Sequence, residues 1–373
     1  MSVAPLVLVD NAVLAGTAHA FPLHWLDGLR VAPYEPRQLA GALATEATAA
    51  VVRSMTRVDA DALQRLPNLA HVATLSSGTD HLDLPLMAKH GVAVHTGRGG
   101  NARAVADWCD WSLHRLWALD PAPDSLQGKK VLVVGVGAVG SQVARLLLLR
   151  GATVVLHDPP RQQRQPAGPA EMPGLSWSDL AQALDCGPDA VTLHVPLMED
   201  GPFVTRNWLS EQHIKRVSVH GPVVVLQASR GGVMDERFAS SHNKSQWLAG
   251  LAVDTFCKEP HVDLSLLAAA DLVTPHIAGH SAAGKLDVAR RALHGLRTAL
   301  DCPAELDLTA AVADRLAQAP ADMDLSPWAV LDRASRDLRV ATIGPGTRDF
   351  DHLRHNHVRR ESQAVQTLAV LLP

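Results

Sequence analysis

A chain of 373 residues, 47% apolar and 19% charged, is long enough for two or three domains and buries its cores without disulfide or metal staples. Its 34 Lys and Arg against 38 Asp and Glu give a formal charge of -4, which speaks against nucleic acid or an anionic membrane as a partner. Four scattered cysteines without a C-x-x-C pair argue against structural zinc, no apolar run nears a membrane span, and the N-terminus lacks a signal-peptide pattern, so a cytoplasmic, metal-free protein is expected.

Short apolar runs at residues 5–9, 50–53, 72–75 and 92–94 read as strands, with helical spacing between them, as at 59–66. Strands alternating with helices imply parallel β-α-β units. A helix is expected after Asn101, a good N-cap, with Val105, Cys109, Leu113 and Leu116 on one face; the run DPAPD at 120–124 ends it. A second series of strands follows at 131–134, 153–156, 191–195, 223–227, 251–254 and 272–274, enough for a doubly wound sheet. After Pro275 a helix is expected over 282–300, and from 301 the texture changes to a Pro-containing stretch with a basic, His-rich end. The expected division is a substrate domain (1–100 with 277–300), a dinucleotide-binding domain (101–276) and a small C-terminal domain (301–373).

Gly135, Gly137 and Gly140 stand in GVGAVG directly after the strand VLVV. In such a turn the first glycine permits the tight bend, the second lets backbone approach a pyrophosphate, and the third lets helix and strand pack closely. The following helix offers its N-terminal N–H groups to phosphate. Asp158, at the end of the next strand and 18 residues past Gly140, has the spacing of a ribose-binding acid. Its carboxylate would repel a 2′-phosphate, so the cofactor is read as NAD. Arg161, three residues on, is read as a solvated surface arginine.

Three further motifs each end a predicted strand: Ala228-Ser229-Arg230-Gly231-Gly232, Asp254 with Glu259-Pro260 shortly after, and Thr274-Pro275-His276-Ile277-Ala278-Gly279. In open α/β sheets ligands sit beside such strand ends. Oxidation of a 2-hydroxy acid needs a base, a cation for the carboxylate and a hydride acceptor. His is suited to be the base, Glu259 to orient it, and Arg230 offers a planar fork to a carboxylate. At two N-terminal strand ends, Arg53-Ser54 and Ser76-Ser77-Gly78 are suited to hold an anion.

The order Arg230, Glu259, His276 behind this glycine turn resembles the D-isomer-specific 2-hydroxyacid dehydrogenases, over about residues 1–300. The resemblance implies a flavodoxin-like substrate domain beside a Rossmann NAD domain. It makes His276 the acid/base, Glu259 its partner and Arg230 the carboxylate anchor. Val139, Val195, Ala228, Ser229, Arg230, Asp254 and Gly279 would join the three glycines and Asp158 around NAD. Gly78-Thr79-Asp80-His81, Asp158-Pro159-Pro160-Arg161, Asp200-Gly201-Pro202 and His276 to His280 with Gly284-Lys285 are similar to one branch of the family. That branch oxidises 4-phospho-D-erythronate in vitamin B6 formation and forms homodimers through an extra C-terminal α+β domain, whose end the stretch Gly344 to Arg360 resembles. By the same resemblance Arg53, Ser54, Ser76, Ser77, Gly78 and His280 would face the phosphorylated substrate.

The sequence departs from that branch at several places. His280 stands where a tyrosine is usual, Gly100 where a cysteine is common, Asp107 for a glutamate, Gln227 for an asparagine and Val195 for a threonine. Two other readings stay open: the same chemistry on 3-phosphoglycerate, glyoxylate or hydroxypyruvate, and a non-catalytic NAD sensor built on this fold. His352, His355 and His357 lack the further ligands of an ordinary zinc site and are read as a basic helix or dimer-surface patch.

Overall fold

The computed structural model describes residues 5–15, 21–35, 39, 43–317, 327–341, 350 and 353–354. The chain divides into two compact units, Met1–Asn101 with Ser281–Met323 and Ala102–His280 with Asp324–Pro373.

The first unit is built on a parallel sheet of β1 (Leu6–Asp10), β2 (Arg30–Tyr34), β3 (Ala49–Val52), β4 (His71–Thr74) and β5 (Ala93–Thr96), in the order β2-β1-β3-β4-β5. β1 and β3 are buried along their whole length, which is why they read as unbroken apolar runs. The edge strand β2 (RVAPY) is the one the sequence hides: only Ala32 and Tyr34 are buried, and Pro33, which has no N–H to donate, is tolerated there because it lies on an edge. Leu39, Leu66 and Met87 cover one face of the sheet. Trp25 and the helix Ala282–Ala299, through Leu286, Leu293 and Leu296, cover the other. Gly100 is explained by that helix: a Cβ there would lie 2.5 Å from the Val288 backbone N, so the cysteine usual at this position does not fit this packing. Buried Arg297 fixes the helix end by donating to the carbonyls of Trp25 (3.1 Å) and Asp27 (3.0 Å).

The second unit has a parallel sheet of β6 (Lys130–Val134), β7 (Thr153–His157), β8 (Ala190–Leu193), β9 (Val223–Gln227), β10 (Leu248–Val253) and β11 (Leu272–Val273), in the order β11-β10-β9-β8-β6-β7. A Rossmann sheet has one more strand outside the second. Here it is reduced to a single parallel bridge between Leu156 and Trp177. The segment leading there carries Pro166, Pro169 and Pro173, which cannot donate to a ladder. β6, between β7 and β8, marks the reversal of strand order where dinucleotides bind.

The helix Ala102–Trp117 departs from the single-faced expectation, since every residue from 104 to 114 is buried. The helices Ala138–Leu149 and Pro327–Ala341 both pack on it. Its buried Asp110 is matched by a forked bond from Arg150 (3.1 and 2.7 Å), and Trp111 and Arg115 reach Asp332 on the C-terminal helix. Of the stretch from 301, the helix Leu308–Ala317 packs in the first unit and Pro327–Ala341 in the second. The expectations at Gly344 to Gly346, His352, His355, His357, Arg359 and Arg360 fall outside the described residues. Among the described residues, no helix is long and apolar enough to cross a membrane.

Candidate active site

The glycine turn has the geometry its spacing implies. Gly135 follows β6 with φ +82, and a Cβ there would meet Val195 Cγ1 at 2.7 Å and the His194 backbone at 2.8 Å. At Gly140 a Cβ would lie 1.9 Å from the Gly135 carbonyl oxygen, so this glycine lets the helix Ala138–Leu149 close onto the turn. Gly137 faces open space: nothing lies within 4 Å of its added Cβ, and as helix N-cap it has no side chain to consume the first-turn N–H groups. Such an open helix N-terminus could hold a diphosphate. Val139, in the first helical turn, packs against the core, and Val195 borders the turn. Gly140→Ala is expected to push the helix off the sheet, costing ~2 kcal/mol or more of stability and weakening NAD at least tenfold, as read by thermal unfolding and calorimetric titration.

Asp158 caps the helix Pro159–Arg164. One carboxylate oxygen accepts from the Arg161 N–H (2.9 Å) and the other from the Val136 N–H (2.8 Å), which ties the end of β7 to the glycine turn. Arg161 is not the solvated arginine expected from sequence. Its Nη2 bonds both carboxylate oxygens of Glu171 (2.5 and 2.6 Å), its Nη1 donates to the Val136 carbonyl and Ser141 Oγ, and the guanidinium lies over Trp177. The partner, Glu171, comes from the irregular segment that replaces the missing strand, so nothing local announced it.

Arg230, Glu259 and His276 follow the C-terminal ends of β9, β10 and β11, three neighbouring strands. The arginine loop is held from below by Gln227, the residue that departs from the usual asparagine. Its amide donates to the Arg230 carbonyl (2.6 Å) and accepts from Ser229 Oγ (3.1 Å), and Arg230 Nη1 donates to the Ser229 carbonyl (2.8 Å). Ala228 lies at the start of this loop. Gly231 presses on the next loop, where a Cβ would lie 2.1 Å from the Phe256 carbonyl.

His276 adopts φ +55, a left-handed backbone that a histidine rarely takes. Asp254, fully buried, enforces it. Its carboxylate accepts from Thr274 Oγ1 (2.5 Å) and from the N–H groups of Ile277 (2.7 Å) and Ala278 (3.0 Å). Trp108 Nε1 donates in turn to Thr274 Oγ1 (2.9 Å). Asp254 was expected near the cofactor; the structure shows it holding the histidine turn, on which Gly279 and His280 follow. His276 Nδ1 meets Glu259 Oε2 at 2.6 Å, and Glu259 Oε1 accepts from the Phe256 N–H (2.9 Å). Arg354, from the C-terminal stretch, stands 3.6 Å from Glu259 Oε2, and Phe350 anchors that stretch edge-on against Phe256. Burial alone would raise the Glu259 carboxyl, but the bond to His276, the imidazole charge, the Phe256 N–H and Arg354 outweigh it and hold it below its ordinary value.

Glu236 is a further residue the sequence did not single out. Its carboxylate lies beside the backbone N–H groups of Cys257 and Gly232, which favour the ionised form, but its Oε1 is buried without a hydrogen-bond partner, and burial pushes the carboxyl up to about 7. A carboxyl raised in the fold stabilises it fully below the unfolded pKa, and that contribution is lost as pH rises through the folded value. Glu236→Gln is therefore expected to gain on the order of 1 kcal/mol over the parent between about pH 5 and about pH 8, allowing for solvent screening; urea melts at both pH values read it.

In the first unit, Arg53, Ser54, Ser76, Ser77 and Gly78 gather at the C-terminal ends of β3 and β4. Arg53 Nε bonds buried Asp10 (2.7 Å) at the end of β1. Ser76 bonds Thr74 Oγ1 (2.7 Å) and the Gly78 carbonyl (2.8 Å), and Ser77 bonds Asn101 (2.9 Å). His81 joins the same network through Thr74 (3.0 Å).

The sequence model of the D-isomer specific 2-hydroxyacid dehydrogenase NAD binding domain matches residues 101–278. The chain belongs to the D-isomer specific 2-hydroxyacid dehydrogenase family, and its second unit is an NAD-binding domain. It is similar to the erythronate-4-phosphate dehydrogenase of Salinibacter ruber, 32% identical over 337 residues that cover 85% of this chain and 83% of the relative. It is likewise similar to the enzyme of that name from Porphyromonas gingivalis, 34% identical over 246 residues, 66% of this chain. There the match spans 63% of the relative's length, less than two thirds. In fold it is similar to the D-lactate dehydrogenase of Aquifex aeolicus complexed with NAD and lactic acid (19% identity, TM-score 0.59, covering 79% of this chain and 95% of that one).

Proposed function

We propose that this chain oxidises 4-phospho-D-erythronate with NAD, giving (R)-3-hydroxy-2-oxo-4-phosphooxybutanoate, in the cytoplasm and on the route to vitamin B6. The observation that carries the chemistry is the His276–Glu259 pair at 2.6 Å, in the unit that also holds Arg230 and the glycine turn. The substrate assignment is supported by the names of the relatives and by the cluster of Arg53, Ser54, Ser76, Ser77 and Gly78.

In this reading the glycines, Val139, Asp158, Val195, Ala228, Ser229, Asp254 and Gly279 surround NAD. When bound, NAD supplies the hydride acceptor. The fit is supported by the open space at Gly137. Glu259 occupies Nδ1 of His276, which leaves Nε2 to take the C2 hydroxyl proton. The carboxylate, ionised through the working range because its pKa is lowered, stabilises the imidazolium that forms. Arg230 grips the substrate carboxylate and fixes which face of C2 is presented. Arg53 and the serines of the first unit are suited to hold a phosphate.

The same reading assigns 1–100 with 277–300 to substrate, 101–276 to NAD and 301–373 to a homodimer interface. The four cysteines are free, in keeping with a reducing compartment. Turnover of 4-phospho-D-erythronate, with NAD alone and with a 2-oxo acid to re-oxidise a retained cofactor, tests the proposal. The expected kcat/KM exceeds that for unphosphorylated D-erythronate by roughly 100-fold, the worth of two charge-assisted bonds. A second reading is favoured by His280 in place of tyrosine: turnover of 3-phosphoglycerate, glyoxylate or hydroxypyruvate instead, with none of the erythronate ester, would establish it.

A further inference from the structure

We propose that Glu171 is a specificity-determining residue for the cofactor: it holds Arg161 away from the adenosine ribose and so keeps the site closed to a 2′-phosphate. The inference rests on the placement of Asp158 at that ribose.

Dinucleotide sites that accept NADP use an arginine near the end of the second strand to take the 2′-phosphate, whereas NAD sites use an acid on the ribose hydroxyls. This chain carries both, three residues apart. Asp158 and Arg161 share the first turn of the helix Pro159–Arg164, and the Arg161 N–H bonds the Asp158 carboxylate at 2.9 Å. What decides between them is where the guanidinium goes. Glu171 takes Nη2 with both oxygens, at 2.5 and 2.6 Å, while Nη1 is spent on the Val136 carbonyl and Ser141 Oγ (3.0 Å). The Arg161 and Glu171 side chains are only 15% and 29% exposed, so the pair is shielded from the screening that makes surface pairs weak.

Glu171 is itself fixed. Its backbone carbonyl accepts from Arg145 Nη2 (3.1 Å) on the glycine-turn helix, and its Oε1 accepts from Ser141 Oγ (3.1 Å). The charge count follows. With Glu171, the cluster of Arg145, Asp158, Arg161 and Glu171 is about neutral, so it offers the dianionic 2′-phosphate of NADP no free positive charge. With the Glu171 charge removed the cluster carries about +1 and Nη2 gains a reason to swing towards a phosphate.

Calorimetric titration of the purified full chain with NAD, NADP and 2′-AMP tests this without relying on turnover. In Glu171→Gln, NADP and 2′-AMP are expected to bind about tenfold more tightly than to the parent, with NAD within threefold. In the double variant Glu171→Gln/Arg161→Ala that gain should vanish. Unchanged NADP and 2′-AMP affinities in a Glu171→Gln protein that melts like the parent would overturn the proposal, and so would a gain that survives loss of Arg161. Asp158→Asn separates the underlying placement: it should weaken NAD about tenfold. If it does while Glu171→Gln changes nothing, the ribose site stands and the role of Glu171 falls. If Asp158→Asn leaves every affinity unchanged, the ribose placement fails, and the inference with it. Should Glu171→Gln unfold early, Glu171→Ala with the melting curve recorded alongside gives the same comparison.

Discussion

Replacing His276 by asparagine is expected to lower kcat by about a thousandfold while leaving NAD affinity unchanged. Asparagine is the informative choice because position 276 has φ +55, a backbone that asparagine tolerates well and that most side chains resist. The turn survives because it is held by the Asp254 carboxylate through Ile277 and Ala278, at 2.7 and 3.0 Å, not by the imidazole. Only the proton acceptor goes. The loss should therefore appear in kcat, with KM for the hydroxy acid moving little, since Arg230 and the phosphate contacts remain. Stopped-flow measurement of the first turnover, with NAD binding followed separately, separates chemistry from binding. Activity within tenfold of the parent would remove His276 from the reaction.

Arg230→Lys is expected to cost two to three orders of magnitude, on the order of 3–4 kcal/mol, in kcat/KM. A lysine keeps the charge and loses the fork, so the substrate carboxylate is no longer held by two parallel bonds. Here the KM should rise together with a fall in kcat, because the same grip orients C2. The loop itself should persist: Gln227 holds it through the Arg230 backbone carbonyl at 2.6 Å, an atom that the substitution keeps. A competitive 2-oxo acid inhibitor should weaken in parallel, whereas one lacking the carboxylate should bind as before. Equal loss for both inhibitors would mean that Arg230 supports the loop instead of holding a carboxylate.

The sequence reveals those parts of the molecule in which one local pattern has one physical meaning. The three glycines are such a case, since turn, diphosphate approach and close packing each exclude a side chain for a separate reason. The buried parallel strands are another, because burial on both faces leaves an apolar run. The edge strand Arg30–Tyr34 escaped because Arg30, Val31 and Pro33 are exposed and only Ala32 and Tyr34 are buried, so burial leaves no unbroken apolar run. Arg161 was misread because its partner Glu171 lies ten residues away in a segment with no periodicity. Glu236 escaped for a related reason: its carboxyl is raised by burial among loops brought together only in the fold, which no spacing in the sequence encodes. Asp254 is expected from sequence beside the cofactor, and its contacts with Thr274, Ile277 and Ala278 become visible only with β10 and β11 side by side.

The central claim is that His276, oriented by Glu259, takes the proton of the C2 hydroxyl of a D-2-hydroxy acid held by Arg230, while the hydride on C2 passes to NAD. The most direct test is transfer of a label. With 4-phospho-D-erythronate carrying deuterium at C2, the account predicts that the reduced cofactor gains one mass unit at its nicotinamide, that the C2 epimer, 4-phospho-D-threonate, gives none, and that the transfer is lost in His276→Asn. Reduced cofactor that forms without the label, or forms equally from both epimers, would contradict it.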